Sequence, residues 1–160
     1  MRRALAALPA LLLAGCGGEN HVAKTAGYWP GLFYIESAAG DTSPARLQSE
    51  ALKGYLQLYA GKMRFKMEMK SANQRFTVDG TWSVDGDRVR IVGEDFTFDQ
   101  PPEEDQKARG LTLVEPGAIR KTLKNGLSFR RSADNRNLAG QKTSLGHLLG
   151  EFRFDRPIPR

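Results

Sequence analysis

Lys62-Met63-Arg64-Phe65-Lys66-Met67-Glu68-Met69-Lys70 alternates charged and apolar side chains at every position. Successive side chains of a strand point to opposite faces, so this stretch predicts an antiparallel strand with one wet and one dry side. Met63, Phe65, Met67 and Met69 form its core side; Lys62, Arg64, Lys66 and Lys70 face water. The same period extends outward. Upstream, Tyr55-Leu56-Gln57-Leu58-Tyr59 can pair back across Ala60-Gly61 as a hairpin. Downstream, beyond Ser71-Ala72-Asn73, Phe76, Val78, Trp82 and Val84 share a face. Asp85-Gly86 then favours the positive φ angles of a type I′ turn before Arg88-Val89-Arg90-Ile91-Val92. Gly80, in phase with the apolar face, marks a bend or bulge.

Farther out, Leu32 to Ser37 reads as a first strand, with Pro30 kept out of any central-strand position. Residues 44–53 read as one short helix, with Ser43 as cap, Pro44 in the first turn, Leu47, Ala51 and Leu52 on one face and Gly54 as the stop. Phe96-Thr97-Phe98, Leu111 to Val114, Ile119 to Leu123 and Leu127 to Arg130 read as further short strands. Glu115-Pro116-Gly117 and Asn125-Gly126 are turn signals between them, and Gln100 to Lys107 reads as a proline-led acidic loop. Beyond Arg131 the pattern fades. Thr143 to Leu149 suits a helical turn, and Glu151 to Phe154 an edge strand or loose tail. The fold class is therefore mostly β, an antiparallel meander of about eight strands that curls or closes into a small barrel.

The chain has 160 residues, 40% hydrophobic and 26% charged, enough for one domain with a real core. Its 24 Lys and Arg against 18 Asp and Glu give a net charge of +6. Met1 to Gly15 joins Arg2 and Arg3 to an apolar run too short to span a bilayer permanently, the pattern of a secretory signal. Without that segment the balance is mildly basic. The run ends Leu13-Ala14-Gly15-Cys16, which resembles the lipobox of bacterial membrane lipoproteins at all four positions, and Cys16 is the chain's single cysteine. The resemblance implies cleavage before Cys16, acylation of that residue, and a domain held outside the cytoplasm on a membrane of the cell envelope. A lipid-held protein in that compartment meets no nucleic acid. With residues 1–15 as signal, 16–27 read as a flexible lipidated tether, 28–131 as the β domain, and 132–160 as an extension ordered only in part.

Catalytic constellations are sparse. Only His21 and His147 exist; the first falls in the tether and the second in the weakly patterned tail, and no Gly-x-Ser-x-Gly elbow occurs. Met63, Met67 and Met69 are thioethers suited to Cu(I), though methionine on one strand face is a core pattern too. Glu103-Glu104-Asp105 lacks the glycines of a calcium loop. The sequence implies no enzyme, cofactor or metal.

Gly31-Leu32-Phe33-Tyr34-Ile35 after Trp29-Pro30, together with Gly80 to Ile91, is similar to small lipocalin-like, calycin-type β-barrel proteins. That resemblance implies a binding module for a small apolar or lipid ligand, bounded by Phe65, Phe76 and Trp82, unless side chains fill the interior. The alternative is a structural lipoprotein whose basic sheet face contacts anionic lipid or an envelope protein. Lys62, Arg64, Lys66, Lys70, Arg88 and Arg90 would gather on that face if their strands are neighbours.

Overall fold

Alternation at Arg64–Lys70 builds the first wall of the structure, a computed structural model that describes residues 20–38, 52–111 and 113–157. The elements are α1 (His21–Thr25), β1 (Gly27–Ala38), β2 (Leu52–Tyr59), β3 (Arg64–Lys70), β4 (Arg75–Asp85), β5 (Arg88–Asp99), α2 (Glu103–Ala108), α3 (Pro116–Asn125), β6 (Leu127–Arg131), β7 (Asn137–Gly140), β8 (Thr143–Leu145) and β9 (Leu148–Asp155). Phe65, Met67 and Met69 are buried, while the charged residues between them reach solvent. Lys62 and Met63 lie in the β2–β3 turn instead of the strand. Tyr59 pairs with Arg64, Met63 adopts a φ of 48°, and its carbonyl accepts from Trp82 N at 2.9 Å. Shifting the hairpin by two residues preserves which side chains face inward, so patterning alone does not choose between the two registers.

All paired strands are antiparallel, and the order β1-β2-β3-β4-β5-β6-β7-β9 returns to β1, closing a barrel. The closing seam runs from Gly31 opposite Phe154 to Ala38 opposite Leu148. β7 and β8 both pair with β9, with Ala139 opposite Arg153 and Thr143 opposite Gly150. They are thus two pieces of one barrel position, separated by Gln141 and Lys142. The β4–β5 register shifts between Asp79 and Gly80, the bulge that Gly80 signals. A Cβ there would meet Val92 O at 2.0 Å. In the β4–β5 turn only Gly86 has positive φ, 59°, so glycine is the first central residue, as in type II′ and not type I′.

Several expected elements differ. Ile119 to Leu123 is part of α3: as a strand it would bury Lys121 with Ile119 and Leu123, whereas a helix buries Ile119 and Leu123 and leaves Lys121 outside. Pro116 belongs to its first turn. Because β6 pairs with β5 only at Arg88–Ile91, α3 covers the remainder of that β5 edge, and a Cβ on Gly93 would lie 3.1 Å from Leu123 Cβ. Phe96 to Phe98 continues β5, and the acidic loop contains α2. The region beyond Arg131 is no loose tail; it supplies β7, β8 and β9, and β9 is paired on both edges. Thr143 to Leu145 is strand, not helix. Pro30 lies inside β1, just before the first β9 pair, where a missing N–H is tolerated. The helix expected at 44–53 falls outside the described residues as far as Ala51; Leu52 and Lys53 belong to β2.

The core joins Trp29, Phe33, Phe65, Phe76, Phe152 and Phe154 with aliphatic residues from every wall. One end is sealed by α1, assigned to the tether by composition. Trp29 Nε1 donates to Thr25 O at 2.8 Å, and the Arg156 guanidinium stands 4.0 Å over the Trp29 ring. Arg156 also donates to Lys24 O at 2.9 Å, Thr25 O at 3.1 Å and Ala26 O at 2.5 Å. Burial, and secondarily the charge of Arg131, lower the Arg156 pKa. Buried Arg131 donates to Thr25 Oγ1 at 2.5 Å and His21 O at 3.1 Å. The opposite end carries the 71–74 and 146–147 turns and the long connection holding α2 and α3.

Candidate functional site

The proposed interior site is occupied by protein. Phe65, Phe76 and Trp82 are 1%, 1% and 3% exposed and belong to one packed cluster. Trp82 Nε1 is satisfied by Tyr59 O at 3.1 Å. Met67 and Met69 are buried in the same cluster, with Met63 packed at its edge. None of Phe65, Phe76 and Trp82 lines either of the two clefts described below.

The six basic residues do not form one patch, because β4 lies between β3 and β5. Lys66 stands opposite Asp79, which stands opposite Asp95. Arg64 is paired with Glu94 at 2.5 Å, and Arg90 donates to Asn125 O at 2.7 Å. Arg88 lies opposite Arg130 near Asp87, which bonds Arg130 at 3.3 Å. The outer wall is therefore of mixed sign. Lys62 is exposed in its turn, and Lys70 lies at the other end of β3, beside a cleft.

At that end two clefts adjoin, sharing Gln100 and Pro101. The larger, about 720 Å³, has an apolar wall of Pro101, Pro102, Leu111, Leu113, Val114 and Pro116. Leu113 and Val114 are buried, so the wall continues into the barrel core. Its rim carries Glu103, Gln106, Lys107, Glu115 and His147. Gln106 Nε2 donates to Pro101 O at 2.6 Å, fixing the loop that enters α2. His147 Nδ1–H donates to Glu115 Oε1 at 3.3 Å. Gly146, with φ of 74°, lets Glu115 close over the turn; a Cβ there would strike its carboxyl carbon at 2.6 Å.

The second cleft, about 560 Å³, is polar and basic, lined by Lys70, Asn73, Gln74, Arg75, Asp99 and Arg109 among others. Arg109 Nη2 donates to Asn73 Oδ1 at 2.8 Å. Arg75 is bound to Glu68 at 2.9 Å, and that hydrogen bond and charge raise its pKa. Gln74, 6% exposed, joins the two clefts: its Oε1 accepts from Val114 N at 3.1 Å. Its buried Nε2 has no hydrogen-bond partner among the described residues. Leaving such a donor dry and unpaired costs on the order of 1–3 kcal/mol.

Catalytic groups are not assembled around this site among the described residues. The Ser144 hydroxyl, three positions before His147, donates to Gly146 O at 3.1 Å. His21 lies at the α1 end, where its Nδ1 accepts from Arg131 Nη2 at 3.0 Å. No metal-holding group of three His, Cys, Asp or Glu residues occurs among the described residues. Glu103, on α2, bonds Lys107 at 2.6 Å. Cys16 lies outside the described residues. Of the ligand-contact and anion-contact residues expected from sequence, only Lys70 lines the paired clefts; His147 and Glu103, weighed as catalytic and metal-binding groups, line the larger one. Sequence reasoning does not single out Gln74, Arg75 or Arg109; the local signal is the basic pair Lys70 and Arg75 bracketing the 71–74 turn.

No family model matches the chain, and no curated protein matches it. Among solved structures, a streptavidin-like protein from Bacteroides eggerthii is 14% identical over 82% of this chain and 80% of that chain, with a TM-score of 0.39.

Proposed function

We propose that this protein is a lipid-anchored component of the bacterial envelope, held through Cys16, and that its barrel is a non-catalytic module for a small apolar or lipid-like ligand. The binding half rests on the cleft of about 720 Å³, within the roughly 300–1,000 Å³ of small-molecule sites. Its wall of proline, leucine and valine, with a few polar groups at the rim, is the composition such sites use. The ligand position moves from the barrel interior to the barrel end, since Phe65, Phe76 and Trp82 are all buried in the packed core cluster. The envelope half rests on Leu13-Ala14-Gly15-Cys16 and the apolar run before it. No helix of the described residues is long and apolar enough to cross a membrane.

Native mass spectrometry of the protein purified from its own host tests the binding half. A co-purified small molecule is expected, and Leu111→Arg, which puts a long charged side chain into the cleft, should release it. Wild-type protein arriving empty and failing to take up octanol would overturn the reading.

A second reading keeps the sheet face as a contact for anionic lipid. Exposed Tyr28 and Tyr59 lie on the outer side of β1 and β2, with Tyr55 at 5.3 Å from Tyr28 and Arg64 and Lys66 on the next strand. Tyrosine beside basic groups suits a membrane interface. Lys66→Glu would then weaken binding to anionic vesicles at low salt.

A further inference from the structure

We propose that the basic cleft is the head-group subsite of the same ligand, which is therefore an amphipathic anion: an apolar body in the larger cleft and a carboxylate or phosphate among Lys70, Arg75, Arg109 and Gln74. This rests on the end-cleft reading above. The two clefts share Gln100 and Pro101, so a single molecule can span them. Their chemistry is unequal: one has the proline and leucine wall, the other three cations.

Gln74 is the observation that separates a ligand site from an ordinary solvated basic surface. It is buried, its Oε1 is held by Val114 N at 3.1 Å, and its Nε2 has no partner among the described residues. The bond to Val114 fixes which amide atom is the acceptor and leaves the two N–H donors of the buried Nε2 unpaired, in a residue that lines the cleft. An anion can use donors of this kind, and a neutral apolar molecule cannot. The acids near the cleft are accounted for: Glu68 is bonded to Arg75, and Asp99 stands opposite Arg75 on β5. Lys53 faces Lys70 across β2 and β3. Among the residues lining this cleft Lys70, Arg75 and Arg109 outweigh Asp99, and the local field favours an anion.

The described strand pairs and core are made by residues within 22–155, so the chain from Gly17 onward holds all of them and can be titrated calorimetrically without a lipid anchor. The probes are octanoate, octyl phosphate, octanol and inorganic phosphate. Octanoate and octyl phosphate should bind about tenfold or more tightly than octanol, the equivalent of one charge-assisted hydrogen bond, and inorganic phosphate should bind far more weakly than octyl phosphate. Gln74→Glu keeps the acceptor for Val114 N and replaces the donor with a repelling oxygen. It should abolish the preference for octanoate over octanol. Arg109→Gln, on an exposed side chain, should reduce the preference without touching the buried amide. Equal binding of octanoate and octanol refutes the head-group subsite and leaves the apolar cleft standing. Phosphate matching octyl phosphate refutes the amphipathic ligand in favour of a plain anion site. Failure of all four probes refutes both this inference and the end-cleft reading.

Discussion

Replacing Arg156 by alanine should remove the clamp that holds α1 across the end of the barrel. Three carbonyls of residues 24–26 lose a charged donor, at 2.9, 3.1 and 2.5 Å, and the Trp29 ring loses the guanidinium 4.0 Å above it. Hydrogen bonds from charged groups contribute roughly 1.5–3 kcal/mol each at best, and a cation over an indole about 0.5–2 kcal/mol. Arg156 is only half-buried, and a freed carbonyl at the barrel end can recover a water. The combined loss is therefore set near 3–5 kcal/mol, a large share of a typical total of roughly 5–15. Arg156→Lys keeps the charge, yet an ammonium on a flexible stem cannot reach three carbonyls and lie flat on the ring together. It should restore less than half of the loss. Urea unfolding followed by tryptophan fluorescence measures both variants. A loss under about 1 kcal/mol for alanine, or full rescue by lysine, would show that the fork geometry contributes nothing beyond charge.

Three further outcomes are expected. Trp82→Ala should cost about 3–5 kcal/mol through lost burial and a cavity, and an unchanged urea midpoint would contradict its 3% exposure. Met67→Ala should cost about 2–5 kcal/mol while Lys66→Glu stays within about 0.5 kcal/mol; equal losses in the two would break the assignment of inner and outer faces on β3. Cys16→Ser should eliminate incorporation of labelled palmitate, and persistent labelling would remove the basis for lipid anchorage.

The walls of the barrel were legible because their physics is local. Phe65, Met67 and Met69 alternate with charge, and Phe76, Val78 and Trp82 keep the same phase on the next strand, so each sheet face declares itself residue by residue. The ends were not legible. Ile119, Lys121 and Leu123 fit period two if Lys121 is ignored; only the cost of burying that lysine, with Pro116 in the first turn, separates helix from strand. Glu151 to Phe154 reads as an edge strand or tail because its neighbour β8 is only three residues long, and its partner on one edge is β1, at the far end of the chain. Arg156 and Arg131 bind backbone carbonyls of α1, and no sequence pattern announces a carbonyl acceptor. The paired clefts share that limitation. Gln74 acquires its meaning from Val114, 40 positions away, and from what its other amide atom lacks.

The seam between β1 and β9 also governs timing. During synthesis β1 emerges with nearly the whole domain still to come, and its edge from Gly31 to Ala38 has to wait for the last strand made. Until then the growing sheet has two open edges, each a template for pairing with another chain. Contacts between the two ends of a polypeptide are also the slowest to form. A chain stalled or clipped before Leu148 would retain most of its hydrophobic residues but lose its closure, and would be expected to aggregate before it could persist as a smaller barrel.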